Sequence, residues 1–174
     1  MAATNPAPGS DTRTEPRKQK ITTFLWFDNN AQEAANFYTS IFKNSRIRQS
    51  ARYPEGAPSP PGTVMTVEFE LDGQEFIALN GGPHFKFTEA ISLFVHCKTQ
   101  EEVDYFWEKL TADGGQESQC GWLKDKFGLS WQIVPDGLMS QWTSGDPEKA
   151  KRVMAAMMTM KKLVIKDLEA AAAG

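Results

Sequence analysis

The sequence predicts an α+β fold. Two βαβββ modules form a curved mixed sheet around a cleft, and a helical extension follows at the C-terminal end. Three observations lead there. The same apolar helix stripe occurs twice at a constant offset. Each copy is preceded by a β-branched and aromatic run and followed by strand-like runs. Asp146-Pro147 then opens a further helical region, an N-cap followed by proline at the first helical position.

Residues 1–19 come first. They carry three prolines, several threonines and charged residues, and almost nothing apolar. Such a segment cannot bury enough surface to offset its ordering entropy. It reads as a disordered N-terminal arm.

Residues 20–80 read as the first module. Residues 21–27 (ITTFLWF) form a strand, ended by Asp28-Asn29-Asn30. Ala34, Phe37, Tyr38, Ile41 and Phe42 then fall at i, i+3, i+4, i+7 and i+8, one helical stripe. Asn30 and Glu33 suit an N-cap and its third-position partner. Residues 46–53 form a second strand, and residues 54–62 a proline-rich loop. Residues 63–71 and 74–80 are strands joined by Asp72-Gly73, a hairpin signal.

Residues 90–135 repeat the plan after a linker over residues 81–88. Residues 91–97 (ISLFVHC) form a strand, and Thr99 with Glu102 makes a capping box. Setting Asn30 against Thr99 aligns Ala34 with Val103, Phe37 with Phe106, Tyr38 with Trp107, and Ile41 with Leu110. Asp113-Gly114-Gly115 stops the helix. Short strands follow over residues 116–119, 120–123 and 129–134. The whole two-module unit spans residues 20–140. Residues 141–174 form the extension, where Val153, Met157, Met160 and Val164 share a stripe and a last short helix covers residues 167–173.

Composition excludes several classes. The 174 residues are 40% hydrophobic and 24% charged, with a net charge of −3. Nothing basic points to nucleic acid, and the apolar runs are too short to cross a membrane. Two cysteines, Cys97 and Cys120, make no disulfide framework. The first residues hold no apolar signal region. The expectation is a cytoplasmic protein.

Four segments carry a resemblance: LWFDNNAQEAANFYTSIF, VMTVEFELDGQEFIALNGG, TQEEVDYFWEKL and CGWLKDKFGLSWQIVP. They resemble the vicinal-oxygen-chelate superfamily of glyoxalases, bleomycin-resistance proteins and extradiol dioxygenases. Within it they resemble the PhnB-like branch, often labelled 3-demethylubiquinone-9 3-methyltransferase-like. The resemblance covers residues 21–168. It implies paired βαβββ modules and a homodimer.

Metal-dependent members of that superfamily place His, Gln or Glu at matching cavity positions in each module. The positions that correspond here are Ile21, Ala78, Ile91 and Gln132. A one-residue shift substitutes Thr22, Leu79 or Ser92. Neither set offers the three or four donors a divalent ion needs. No metal and no cofactor is expected. The methyltransferase label also lacks its motif, since no G-x-G-x-x-G turn follows a first strand.

Alternation from these four positions puts Thr23, Leu25, Phe27, Phe76, Asn80, Leu93, Val95, Cys97, Gln132 and Val134 on the cavity side. The same count turns His96 to the helix layer or an edge. Thr23, Phe27, Asn80, Gln132, the loop residue His84 and Trp122 on a short edge strand are the cleft candidates. Asn80 and Gln132 would orient a ligand, and Trp122 would stack on it. His84 has the chemistry for acid-base work. Trp131 reads as core, Lys124-Asp125-Lys126 as a solvated turn, and Cys97 as an inert buried thiol. The expected function is binding of a small apolar or aromatic molecule without metal. The alternative is a divalent-metal-dependent enzyme of the glyoxalase and dioxygenase superfamily with a non-standard ligand set.

Overall fold

The computed structural model describes residues 19–142 and 145–174, so the arm read over residues 1–19 lies, apart from Gln19, outside the described residues. The first module runs β1 (Thr23–Phe27), α1 (Ala31–Ile41), β2 (Arg46–Arg52), β3 (Val64–Leu71) and β4 (Gln74–Asn80). The second runs β5 (Leu93–Cys97), α2 (Gln100–Thr111), β6 (Gln116–Glu117), β7 (Trp122–Lys124) and β8 (Ser130–Pro135). The helices α3 (Gly137–Trp142), α4 (Pro147–Met158) and α5 (Ile165–Ala173) form the C-terminal part.

Each module folds its strands into its own four-stranded mixed sheet. The orders are β1-β4-β3-β2 and β5-β8-β7-β6. In both, the first strand runs parallel to the last, and the rest are antiparallel. The repeat read from helix stripes is thus a repeat of topology. Asp72 and Gly73 join β3 to β4 with φ of 46° and 82°, as a two-residue hairpin turn requires.

The helix starts follow their capping residues, with one exchange. Thr99 Oγ1 accepts from Glu102 N at 3.3 Å, and Asp146 Oδ1 accepts from Lys149 N at 3.0 Å. The Asn30 side chain makes no cap bond. Asn80 Oδ1 takes its place, accepting from Ala31 N at 2.8 Å. The stripe read through Val164 is cut short, because α4 ends at Met158. The chain beyond runs along the second module, where Cys120 N donates to Met160 O and Gly121 N to Lys161 O.

Both helices pack on the inner faces of the sheets. Ala31, Ala34, Ala35, Tyr38 and Ile41 of α1 are buried in one cluster with Val67, Phe69 and Ala78. Val103, Trp107 and Leu110 of α2 join it with Leu123, Trp131 and Ile133. Phe42 stacks on Phe106 and on Trp131, with ring centroids 5.0 and 5.4 Å apart, so the modules share this core. Full burial of each large aliphatic or Phe side chain contributes about 1.5–3 kcal/mol.

This packing fixes which strand faces remain outside. Leu25 and Phe27 of β1 point inward, while Phe24 is 55% exposed. On β5, Val95 and Cys97 are buried, and Phe94 and His96 face out. Val134 is an outward apolar residue that stays covered. It lies in a second cluster with Leu138, Val153, Met157, Leu163 and Leu168, under the C-terminal helices. No helix among the described residues is long and apolar enough to cross a membrane.

Candidate functional site

The outer faces of the two sheets carry the candidate site. On the first sheet, Phe24, Trp26, Ile77 and Leu79 share a face, as the register of β1 with β4 requires. Trp26 Nε1 donates to Gly82 O at 2.8 Å, and the Phe85 ring meets Trp26 edge-on at 4.9 Å. The loop carrying His84 therefore folds beside this face. On the second sheet, Phe94 pairs with Gln132, and Gln132 with Trp122. Gln132 Nε2 donates to Ser92 Oγ at 2.8 Å.

The alternation expected for β1, β4 and β5 is therefore reversed. Thr23 faces inward and is half-buried, and Phe27 is buried in the shared core. Asn80 lies on the inner side at the end of β4. Its amide caps α1 and donates to Val64 O at 3.1 Å, and its carbonyl accepts from Tyr53 Oη. Both side-chain polar atoms of Asn80 and its backbone carbonyl thus have structural partners. It also borders an open hollow at that end of the first module. His84 is exposed on its loop. Trp122 and Gln132 sit together on the outer face of the second sheet. For β1 and β5 the cause is local: Ile21 and Ile91, the counting origins, precede the strands and are 88% and 62% exposed; for β4 the origin Ala78 is itself fully buried against α1.

The metal positions shift with the parity. Alternation back from Phe24 brings Thr22 to the outer face, with Leu79, Ser92 and Gln132 at the other three places. Two hydroxyls, an amide and an alkyl group do not make a site for a divalent ion. Among the described residues, no three His, Cys, Asp or Glu side chains converge on a point where an ion could sit. The residues present do not fit the metal of the wider superfamily.

Two polar groups lie elsewhere than the sequence places them. His96 Nδ1 lies 3.2 Å from Asp136 Oδ1 on the outer side, an exposed imidazole–carboxylate pair. His96 is the one polar side chain in LFVHC, which already marks it as outward. Asp125, read as part of a solvated turn, is buried. Its carboxylate accepts from Tyr38 Oη and Trp131 Nε1, and from the backbone N–H of Phe127 and Leu129. Burial pushes its pKa up, and the four donors pull against that shift. The signal lay in two core aromatics with polar tips, Tyr38 and Trp131, which need a buried partner.

Residues 19–134 match the family model described as 3-demethylubiquinone-9 3-methyltransferase. The chain belongs to this PhnB-like family. A PhnB protein from Bacillus cereus is 44% identical, with a TM-score of 0.61, over 67% of this chain and 99% of that one. A protein of Pseudomonas aeruginosa shares the fold at 16% identity and a TM-score of 0.56, covering 68% and 98%. The fosfomycin resistance protein FosX of Listeria monocytogenes, complexed with Mn(II) and sulfate, shares the fold at 15% identity. Its TM-score is 0.51, with 75% and 100% covered. Curated proteins give no match. The PhnB-like match ends at Val134, so α3, α4 and α5 lie beyond it.

Proposed function

We propose that this PhnB-like chain is a cytoplasmic small-molecule-binding protein that works as a homodimer and needs no metal. The ligand is apolar or aromatic, and it lies between the outer faces of sheets from two copies. One observation carries this reading: the four places that match the superfamily's metal ligands hold Thr22, Leu79, Ser92 and Gln132, with aromatic rings beside them, where a chelating site needs acids or imidazoles. Phe24, Trp26, Phe94 and Trp122 supply flat apolar surface, and the bonded pair Gln132–Ser92 supplies orientation.

The second copy follows from what a single chain leaves uncovered. β1 and β5 are edge strands of their sheets. Ile21, Phe24, Ile91 and Phe94 on and beside them are exposed. Exposed apolar edges of this kind mark interfaces. Apposing β1 of one copy with β5 of the other covers both edges at once and is self-complementary, as a twofold dimer demands.

The test is sedimentation equilibrium with a fluorescence titration of 2-naphthamide, each run with and without chelator. The expected outcome is a dimer that binds the amide equally in both conditions. Gln132→Ala is expected to weaken binding about tenfold, the effect of one lost hydrogen bond. A monomer, or binding abolished by chelator, overturns the reading.

A further inference from the structure

A pocket of about 340 Å³ opens on the outer face of the second sheet, beside β6 and the segment joining the modules. Glu89, Gln116, Trp122, Lys124 and Ser130 are among its walls. Ser130 is 1% exposed, and its Oγ has no hydrogen-bond partner. Buried hydroxyls in folded proteins are almost always paired, so an unpaired one lining a pocket points to a group that arrives from outside.

The surroundings say what kind of group. Lys124 stands opposite Ser130 in the β7–β8 register, so both side chains leave the same face. Trp122, two residues along the strand, shares that face and offers an indole ring. The Lys124 ammonium is held by Glu89, whose side chain is largely exposed. An ion pair of this type is weak and readily exchanged. Glu117, on the rim, is already engaged, accepting from Trp107 Nε1 at 2.9 Å and from Lys161 Nζ at 3.4 Å. The pocket thus offers one exchangeable cation and one buried, unpaired hydroxyl, with Gln116, Ser118 and two carboxylates near by. That balance favours a single negative charge over a dianion.

We propose that this pocket is a carboxylate subsite for a planar aromatic acid. Lys124 Nζ and Ser130 Oγ take the acid's oxygens, the ring lies on Trp122, and Glu89 releases Lys124 as the acid enters. This rests on the cleft reading above and adds the ligand's charge and the residues that read it.

The experiment compares 2-naphthoate with 2-naphthamide and with phenyl phosphate, followed by tryptophan fluorescence of the full chain. Naphthoate is expected to bind about tenfold tighter than the amide, the scale of one charge-assisted contact. Lys124→Met and Ser130→Ala are expected to erase that advantage while leaving amide binding unchanged. Glu89→Gln is expected to tighten naphthoate binding several-fold. Naphthoate without an advantage, or an advantage that survives Lys124→Met, overturns the subsite. Phenyl phosphate binding tighter than naphthoate overturns the single-charge assignment. Amide binding that depends on Gln132 without any preference for the acid leaves the cleft reading standing and removes only this inference.

Discussion

Tyr38 Oη donates to Asp125 Oδ2 at 2.8 Å, tying the helix of the first module to the β7–β8 turn of the second. Trp131 Nε1 donates to the same oxygen at 2.8 Å. The other oxygen closes the turn on Phe127 N and Leu129 N, at 2.9 and 3.0 Å. One carboxylate therefore satisfies four donors at the junction of the modules.

Removing that carboxylate leaves four donors, three of them buried, without this partner. Asp125→Ala is expected to cost about 3–5 kcal/mol in urea unfolding, and Tyr38→Phe about 1–2 kcal/mol. The pH dependence has a defined sign. Burial raises Asp125 above its ordinary value of 3.8, so in the window above 3.8 the folded state keeps a proton the unfolded chain has released. Stability from this group is full below 3.8, falls as pH rises through the raised value, and is level above it. Asp104, held down by Lys162, acts in the opposite direction. The measurement is therefore the difference between wild type and Asp125→Asn, which isolates the fall.

Gly81 has no room for a side chain. A Cβ there would stand 2.3 Å from the Trp26 ring. Trp26 is also fixed by its bond to Gly82 O and by the edge of Phe85. Gly81→Ala is expected to push Trp26 off the outer face and to lower stability by about 1–3 kcal/mol. Gly137→Ala is the control, because a Cβ there meets nothing within 4 Å. The urea midpoint reads both.

The elements were legible where the sequence contrasts with itself. The Asp72-Gly73 turn, the Thr99 cap and the two aligned stripes each pair a local signal with a matching period. β1 offers no contrast. Phe24, Leu25, Trp26 and Phe27 are all apolar, so alternation cannot tell inside from outside; the packing of α1 decides. Asn80 was legible as an important amide but not as a cap, since its partner Ala31 N is 49 positions away in sequence. The short helix α3 carries no stripe of its own and was missed. Gln132 and Trp122 share a face because they stand opposite each other in the β7–β8 register, a pairing that alternation within one strand does not reveal.

Cys97 and Cys120 differ in reactivity. Burial, with the nearby charges of Glu102 and Asp136, pushes the Cys97 thiol up to about 12. Cys120 is half-buried, with its sulfur 3.6 Å from that of Met158. The thiolate is the reactive form, so Cys97 is expected to stay unmodified at pH 8 until the protein unfolds. A disulfide-reagent titration should count one thiol per native chain and two in urea. Two native thiols at equal rates would contradict the buried placement of Cys97.

The C-terminal helices are held at few points, and those points set how the segment comes off. Gln100 grips it with both ends of its amide: Nε2 donates to Leu163 O at 3.2 Å, and Oε1 accepts from Ile165 N at 2.8 Å. Leu163 is fully buried between Val134, Val153 and Leu168. Its neighbour Gly121 has φ +82°, and a Cβ there would stand 3.0 Å from Leu163 Cδ1, so the chains meet at close range. Leu163→Ala is expected to cost about 2–5 kcal/mol of local stability, and Gln100→Ala about 1–3 kcal/mol. The second cluster is separate from the shared core, so this loss should open residues 146–174 before the modules unfold. Limited proteolysis is the readout. Cleavage within the extension with the two-module part intact is the expected result. Simultaneous loss of both would mean that Val134 transmits the helices' docking into β8 and that the extension belongs to one cooperative unit with the modules.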